Sequence, residues 1–335
     1  MNDPLHQSLP EAPLSVAFEA PHPGLGDAPD VLALIGFAGT RCTGAAMIPT
    51  PLAGLDGRDQ VEVWRSRGPL QRLAEGVIAY SQSDDYLFGR MELVEAEFGD
   101  CRAVTEAAYQ QLLAFQQRSA KPHLLRLWHY FSEITAGVGD GQRYRQFCVG
   151  RVQALSAYPA LSLPAATAIG RSDGVSTLVM YWLAGRQPGV GIENPRQLSA
   201  RSYPRQYGPV APRFTRATLT AAGQLLISGT ASIVGHASHH HGRVRDQLAE
   251  TLTNIEALLR EANRLDPRVP AELGDGSRLK VYLRHRADLP VVQNYLSAAL
   301  PSGCRCLFLE GEICRDDLLV EIEGVHGEPG PAAIG

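Results

Sequence analysis

Long apolar runs, a strong net charge and paired cysteines are all missing from this chain of 335 residues. No segment approaches the ~18 consecutive apolar residues that a membrane-spanning helix needs. Lysine and arginine total 31 against 35 aspartates and glutamates, and this balance argues against a protein that binds nucleic acid or a membrane surface. The six cysteines form no C-x-x-C pair, and no signal peptide is visible. We therefore expect free thiols and a cytoplasmic location.

The chain does contain enough apolar sequence for a large core. Hydrophobic residues make up 44% of the composition, and the length suggests two domains or one duplicated domain. Residues 187–212 have five prolines and no regular period, which is typical of a long ordered loop that lines a site. We place the domain boundary in this region, between an N-terminal domain of residues 1–190 and a C-terminal domain of residues 191–335.

Hydrophobic periodicity predicts a mixture of strands and helices. Residues 61–65 alternate like a strand, and residues 105–118 have the spacing of a helix that Thr105 would cap. Residues 243–263 give the clearest helix, with one apolar stripe. The second half of the chain thus has the order β-β-α-β-α-β, and the first half follows it more loosely. Residues 1–30 resemble an extended lead-in.

The segment 313–324 organises the prediction of function. Leu318, Val320 and Ile322 alternate with polar positions that include Glu321 and Glu323, which indicates a half-buried strand with one acidic face. This face is either a solvated outer surface or a general acid or base aimed into a cleft. The sequence alone leaves both interpretations open.

Cationic and hydroxyl side chains elsewhere are candidates for binding a dicarboxylate. Arg143, Arg145 and Arg151 alternate with other residues, as in a strand, so they are either a solvated face or part of an anion clamp. Further candidates come from later segments: Arg205, Arg284, Tyr203, Tyr207 and Tyr282. Tyr203 and Tyr207 are equally consistent with packing residues of the proline-rich loop.

Two other features are candidate reactive sites. His236 and His239–His241 lie close together, but no carboxylate or thiol has ligand spacing beside them, so we predict no metal site. Cys314 lies seven residues before Glu321, and no partner that would lower its pKa can be assigned. We therefore expect Cys314 to shape the pocket first, with a nucleophilic role as the alternative.

Several motifs together resemble a known family. The residues Val-Glu-Ile-Glu at 320–323 are similar to the RidA/YjgF proteins, and the longer motifs are closer to the chorismatases. They follow one another in this order: Tyr-Arg-Gln-Phe-Cys-Val-Gly-Arg at 144–151, Glu-Asn-Pro-Arg-Gln at 193–197, Tyr-Pro-Arg-Gln-Tyr-Gly-Pro at 203–209, Ser-Gly-Thr-Ala-Ser-Ile-Val-Gly-His at 228–236, and Cys-Arg-Asp-Asp-Leu-Leu-Val-Glu-Ile-Glu-Gly at 314–324. Residues 1–120 match only weakly.

The resemblance implies an α+β fold with two RidA/YjgF-like (chorismate mutase-like) subdomains, each a mixed sheet with helices on one face. It implies cleavage of chorismate to pyruvate without metal or cofactor, with Glu321 as the catalytic acid. Cys314 goes with the branches that form benzoates, and the chain looks most like the bifunctional branch that makes 3- and 4-hydroxybenzoate for xanthomonadin and ubiquinone precursors. The implied substrate-binding residues are Tyr144, Arg151, Tyr203, Arg205, Tyr207, Gly229, Ala231 and Arg284.

Two other functions compete with this one. A RidA-type hydrolase of reactive imines would use the same fold, although RidA-type chains are about half as long. A non-catalytic sensor would keep the pocket, but a sensor of a dianion gains nothing from the carboxylate of Glu321. Chorismate is thus the expected partner. No nucleic acid or membrane is expected, and both a monomer and a homotrimer are consistent with the sequence.

Overall fold

The structure is a computed structural model that describes residues 14–156 and 163–327. Within these ranges the chain forms three sheets of four to six strands, a two-stranded ribbon and four α-helices. This arrangement confirms the predicted mixed α+β class. None of the helices in the two ranges has the length and apolarity required to cross a membrane.

The N-terminal part of the described chain forms a four-stranded sheet. Its strands are β1 (Ser15–Glu19), β2 (Val31–Ala38), β3 (Met47–Ala53) and β4 (Val61–Arg65), in the spatial order β1-β4-β2-β3. Residues 15–19 of the predicted extended lead-in form a strand that pairs antiparallel with β4. Five residues between prolines are too short to give a clear period, and only the pairing with β4 makes them a strand.

The second sheet has six strands and two helices. Its strands are β5 (Gln71–Glu75), β6 (Ile78–Gln82), β7 (Tyr86–Val94), β8 (His123–Ser132), β9 (Ala165–Arg171) and β10 (Thr177–Gly185), in the order β5-β6-β7-β10-β8-β9. Helix α1 (Cys101–Arg118) precedes β8, and α2 (Arg143–Ala154) follows it. The N-cap of α1 is Asp100, whose Oδ1 accepts from the N–H of Ala103 at 2.8 Å, so the prediction of Thr105 as the cap is wrong.

Helix α2 corrects the prediction of a strand at residues 143–151. Tyr144, Cys148 and Arg151 are four and three residues apart, so they share one stripe of a helix and pack toward the core beside α1. The arginines at 143, 145 and 151 therefore do not mark one face of a strand. Arg143 is paired with Glu95 at 2.6 Å, so it is neither part of a solvated strand face nor an anion clamp.

The third sheet repeats the plan of the second. Its strands are β11 (Val190–Ile192), β12 (Ala217–Leu219), β13 (Leu225–Ala231), β16 (Arg278–Leu283), β17 (Arg305–Glu310) and β18 (Val320–His326), and the ribbon is β14 (Ile233–Val234) with β15 (Ala237–Ser238). Its spatial order is β11-β12-β13-β18-β16-β17. Helices α3 (Val244–Leu265) and α4 (Leu289–Ala299) cover one face. The chain changes from the second sheet to the third between β10 and β11, and the predicted domain boundary at residue 190 lies at this point in the sequence.

The helix predicted at residues 243–263 is present as α3. The predicted stripe of Leu248, Leu252, Ile255, Leu258 and Leu259 is buried against the third sheet. Each fully buried side chain of this kind contributes about 1.5–3 kcal/mol. The uncovered faces of the three sheets meet in a common core that contains Trp64 of β4, Trp128 of β8 and Leu309 of β17. The site described below lies where the second and third sheets approach each other.

Candidate active site

A cavity of about 300 Å³ lies between α2, the proline-rich loop and the start of β18. Residues from both halves of the chain line it: Gln142, Tyr144, Arg145, Tyr203, Gln206, Tyr207, Pro212, Phe214, Arg216, Gly229, Ala231, Ile233, Cys314, Arg315, Asp316, Asp317, Leu318 and Glu321. Six of the predicted site residues are therefore brought together with Glu321: Tyr144, Tyr203, Tyr207, Gly229, Ala231 and Cys314. The expectation that the loop 187–212 lines a site agrees with this geometry.

Glu321 lies on β18 with its carboxyl group in the cavity wall. Only 5% of the residue is exposed, so the interpretation of a solvated acidic face is wrong. Burial raises the pKa of Glu321 to about 8, and the negative charge of Glu323 adds to this effect. A carboxyl group with this pKa is largely protonated at neutral pH, as a general acid requires.

Gly229 allows the carboxyl group of Glu321 to reach its position. Strand β13 pairs with β18 and has a register shift between Ile227 and Thr230, so Gly229 lies at an irregularity of the sheet. A Cβ atom at Gly229 would overlap Oε1 of Glu321. Glycine is thus needed here for close approach.

The second glutamate of the strand, Glu323, has a different environment. Its residue exposure is 1%, and its two oxygens accept hydrogen bonds from five side chains: Lys280, Trp128, Tyr282, Arg126 and Thr167. Burial alone would raise the pKa of Glu323, but the charges of Lys280 and Arg126 outweigh it and lower that pKa to about 2. Glu323 is therefore a carboxylate at neutral pH.

Three arginines line the cavity: Arg145, which was a candidate for the anion clamp, and Arg216 and Arg315, which were not predicted to bind substrate. Arg216 is 4% exposed, and its Nε has no hydrogen-bond partner within residues 14–156 and 163–327. Its Nη2 donates to the Tyr203 hydroxyl at 2.8 Å. A buried guanidinium with a free N–H is suited to an anionic ligand.

Two tyrosines of the proline-rich loop hold Arg315 in place. The rings of Tyr203 and Tyr207 are 5.4 Å apart, and the guanidinium carbon of Arg315 lies 4.0 Å from the ring centre of Tyr207. The same arginine donates to the carbonyl oxygen of His236 at 2.9 Å. The tyrosines therefore line the cavity and also pack, so both interpretations of these residues apply.

The Cys314 thiol lines the cavity in the loop that precedes β18. The predicted strand at 313–324 begins only at Val320, so Cys314 is not on the strand. Burial raises the pKa of Cys314 to about 12, and the nearby carboxyl group of Glu321 adds to the effect. The thiol is thus neutral, which favours a pocket-shaping role over a nucleophilic one.

Three arginines that were predicted to bind substrate do not line the cavity. Arg205 is at the surface, where it pairs with Asp140 at 2.6 Å. Arg284 donates to the carbonyl oxygens of Ile313 and Leu318, so it braces the loop that carries Cys314. Arg151 is 3% exposed and lies over the ring of Tyr109 at 5.4 Å, so it is not on a solvated face either.

The motifs identify residues but do not show which side chains reach the cavity. Arg216 ends the motif Arg-Phe-Thr-Arg at 213–216, and Arg315 directly follows Cys314. Arg315 lies inside the motif at 314–324, and its adjacency to Cys314 was a usable signal. Arg216 gave no such signal, because its approach to Tyr203 depends on tertiary structure.

The histidines of residues 236–241 point toward separate partners. His236 hydrogen-bonds Tyr207 at 3.1 Å, His240 hydrogen-bonds Glu250 at 3.3 Å, and His241 lies 3.3 Å from Asp317. Within the described ranges no three His, Cys, Asp or Glu side chains are placed to hold one metal ion.

Comparison with known proteins identifies the family. A chorismatase from Streptomyces hygroscopicus is 36% identical over 347 residues, which cover 97% of this chain and 99% of the relative. The chain belongs to the chorismatase family. The family model "Chorismatase FkbO/Hyg5-like, N-terminal" matches residues 62–184. A 3-hydroxybenzoate synthase from the same organism is 34% identical over 279 residues, covering 79% of this chain and 80% of the relative.

A solved chorismatase has the same overall structure. It is 33% identical to this chain, with a TM-score of 0.82 and coverage of 94% of this chain and 98% of the other. The residues that the family model matches include Tyr144 and Arg145, whereas Glu321 lies far outside them. Both parts of this chorismatase-family chain thus contribute side chains to one cavity.

Proposed function

We propose that this member of the chorismatase family cleaves chorismate to pyruvate and a hydroxybenzoate, with Glu321 as the general acid. The observation that carries the proposal is a buried carboxyl group, with its pKa raised to about 8, in a cavity that three guanidinium groups also line. The names of the relatives support chorismate as substrate over an imine, and the 3-hydroxybenzoate synthase supports 3-hydroxybenzoate as a product. We include 4-hydroxybenzoate as a further product.

The charges of the cavity fit a substrate with two carboxylates. Chorismate has one carboxylate on the ring and one on the enolpyruvyl group, so it needs separate cationic partners. Arg216 is buried on one side with an unused Nε, and Arg315 lies against the tyrosines of the loop. Asp316 and Asp317 also line the cavity, and their negative charges would disfavour a carboxylate placed beside them.

The reaction begins with proton transfer to carbon. Protonated Glu321 donates to the methylene carbon of the enolpyruvyl group, and positive charge develops at the ether-bearing carbon. The three-carbon unit leaves as pyruvate by one of two bond cleavages. If the bond between the ether oxygen and the ring breaks, the unit keeps that oxygen and the ring loses a proton to become aromatic. If the other C–O bond breaks, water supplies the carbonyl oxygen of pyruvate. Ionised Glu323, two residues away, is held by five donors and has no proton to give.

The source of that oxygen distinguishes the products. A hydroxybenzoate plus pyruvate contains the same atoms as chorismate, so this course consumes no net water. The non-aromatic diol plus pyruvate contains one additional water. A cavity that excludes water from the ring therefore favours the hydroxybenzoate, and the neutral Cys314 thiol occupies part of the space that such a water needs.

The test is direct incubation with chorismate. Purified protein and the Glu321→Gln variant are incubated with chorismate, pyruvate is measured by a coupled dehydrogenase assay, and the ring products are separated by chromatography. We expect pyruvate and 3-hydroxybenzoate in equal amounts from the parent, or pyruvate balanced by the sum of 3- and 4-hydroxybenzoate. A folded parent that leaves chorismate unchanged would overturn the proposal.

A further inference from the structure

Thr167 links Glu323 to the wall of the candidate active site. Its hydroxyl group hydrogen-bonds the carboxylate of Glu323 and accepts from the N–H of Gly229 at 3.0 Å. Gly229 is the residue against which the carboxyl group of Glu321 packs. One threonine side chain and one glycine backbone thus connect the two glutamates, independently of the strand that carries both.

The charges around Glu323 balance when it is ionised. Lys280 lies 2.8 Å from Glu323 and also 2.8 Å from Glu62 of β4, and Arg126 contacts Glu323 from β8. Two carboxylates therefore face two cations in a region where the four side chains are at most 4% exposed. Removal of one carboxylate would leave an excess positive charge buried near Glu321.

Several groups around Glu321 act on its ionisation. Arg126, Arg216 and Arg284 favour its carboxylate form, whereas the negative charge of Glu323 disfavours it. Two neutral groups lie nearby, the Cys314 thiol in the preceding loop and the Tyr144 hydroxyl of α2. The charged residues Arg145, Arg315, Asp316 and Asp317 line the same cavity. Glu323 is the anion that opposes the three guanidinium groups.

We propose that Glu323 is a positioning residue that keeps Glu321 protonated at neutral pH and so sets the upper pH limit of proton transfer. The negative charge of Glu323 disfavours a second charge on the neighbouring carboxyl group. Its hydrogen bond through Thr167 also fixes the backbone of Gly229, which defines where the acidic proton lies. The proposal rests on the proposed function of Glu321 as the acid.

Glu62 provides a matched control for this role. It has the same charge as Glu323, is 3% exposed and pairs with the same Lys280. Its hydrogen-bond partner is Trp64 at 2.9 Å, and no contact joins it to Thr167 or Gly229 in the part of the chain that the structure describes. Glu62→Gln and Glu323→Gln thus both disturb the buried charges, but only the second removes the charge beside Glu321.

The experiment measures the Glu321 carboxyl group directly. Protein labelled with carbon-13 at the glutamate carboxyl carbons is titrated by NMR, and the Glu321 signal is assigned by its loss in Glu321→Gln. We expect Glu323→Gln to lower the pKa of Glu321 by about one unit and Glu62→Gln to change it by much less. Equal shifts in the two variants, or no shift in Glu323→Gln, would overturn the inference.

Kinetics separate this inference from the proposed function. In Glu323→Gln the basic limb of the kcat/KM profile for chorismate should move to lower pH by the same amount as the NMR titration. A parent without turnover but with the NMR shift refutes the proposed function and leaves the coupling of the two glutamates intact. A parent with turnover and an unshifted titration refutes the coupling alone.

A second variant guards against loss of folding. Glu323→Gln leaves Lys280 and Arg126 short of a buried partner, which costs stability. The double variant Glu323→Gln, Lys280→Met removes one charge of each sign and leaves Glu62 and Arg126, so the buried net charge is unchanged. Arg126 then faces Glu321 without Glu323, so the pKa of Glu321 should again fall. An unchanged pKa in this folded double variant would contradict the proposal.

Discussion

The carboxyl group of Glu321 packs directly against the backbone of Gly229, on the strand that pairs with its own. Gly229→Ala would place a methyl group where Oε1 now lies, and the acid would have to move. A displacement of about 1 Å from the productive geometry can reduce the rate about 100-fold. We therefore expect Gly229→Ala to lower kcat for chorismate by roughly this factor, measured by pyruvate release.

Gly274→Ala is the control for this change, because a methyl group there meets no atom within 4 Å. Its kcat should match that of the parent. Parental kcat in Gly229→Ala would show that the carboxyl group does not need its present position.

Glu321→Gln should lower activity and raise stability at the same time. The amide keeps the shape but has no transferable proton, so pyruvate release should fall about 10²–10⁴-fold. The amide also removes the cost of ionising a buried carboxyl group. Because the pKa of Glu321 is raised from 4.5 to about 8 in the folded state, its contribution to stability is present below 4.5 and is lost as pH rises toward 8.

Melting temperatures at different pH values test the second half of this prediction. The advantage of Glu321→Gln over the parent should grow between pH 5 and pH 8, by about 1.4 kcal/mol per pH unit. Glu256→Gln on the outer face of α3, where the side chain is 52% exposed, should show no such growth. A stability difference that is independent of pH would show that the pKa of Glu321 in the folded protein is the ordinary one.

Arg216 should contribute to substrate affinity, and Arg205 should not. Arg216 is buried in the cavity wall with an unused Nε, and a charge-assisted hydrogen bond contributes about 1.5–3 kcal/mol. We therefore expect Arg216→Gln to raise the dissociation constant for chorismate about 10- to 100-fold in calorimetry with the inactive Glu321→Gln background. Arg205→Gln removes only an exposed ion pair, so its affinity should equal that of the background.

An affinity loss of equal size in Arg205→Gln would restore the earlier interpretation of Arg205 as a substrate ligand. It would require the exposed segment around Arg205 to close over the cavity when chorismate binds.

The alternation at β18 and the stripe of α3 were readable from sequence because each depends on one period and one buried face. The same alternation did not show that the acidic face of β18 is buried too. That burial depends on Arg126 and Lys280, which come from two other strands and neutralise Glu323. Local pattern predicts the strand, whereas the environment of its charges is set by long-range contacts.

Residues 143–151 show the opposite case, because the local pattern itself was misleading. Arginines at 143, 145 and 151 suggested a period of two, while Tyr144, Cys148 and Arg151 carry the helical spacing that determines packing. A short helix that buries an arginine is difficult to distinguish from a polar strand by sequence, because its buried positions are not all apolar. Only the helical structure of this segment shows that Arg145 lies in the cavity wall.

Cys314→Ala should change the products more than the rate of cleavage. The neutral thiol lines the cavity and packs near Ala231 and Leu318, so removal of its sulfur opens space beside the ring position. A water molecule occupies about 30 Å³ of liquid volume, and entry of one water allows the course that consumes it. Pyruvate release should stay within about threefold of the parent, because Glu321 still supplies the proton. The ratio of non-aromatic diol to hydroxybenzoate should rise, as measured by chromatography of the ring products.

Cys101→Ala changes a buried thiol outside the cavity wall and should leave this ratio unchanged. Loss of pyruvate release in folded Cys314→Ala would instead assign the cysteine a direct part in cleavage.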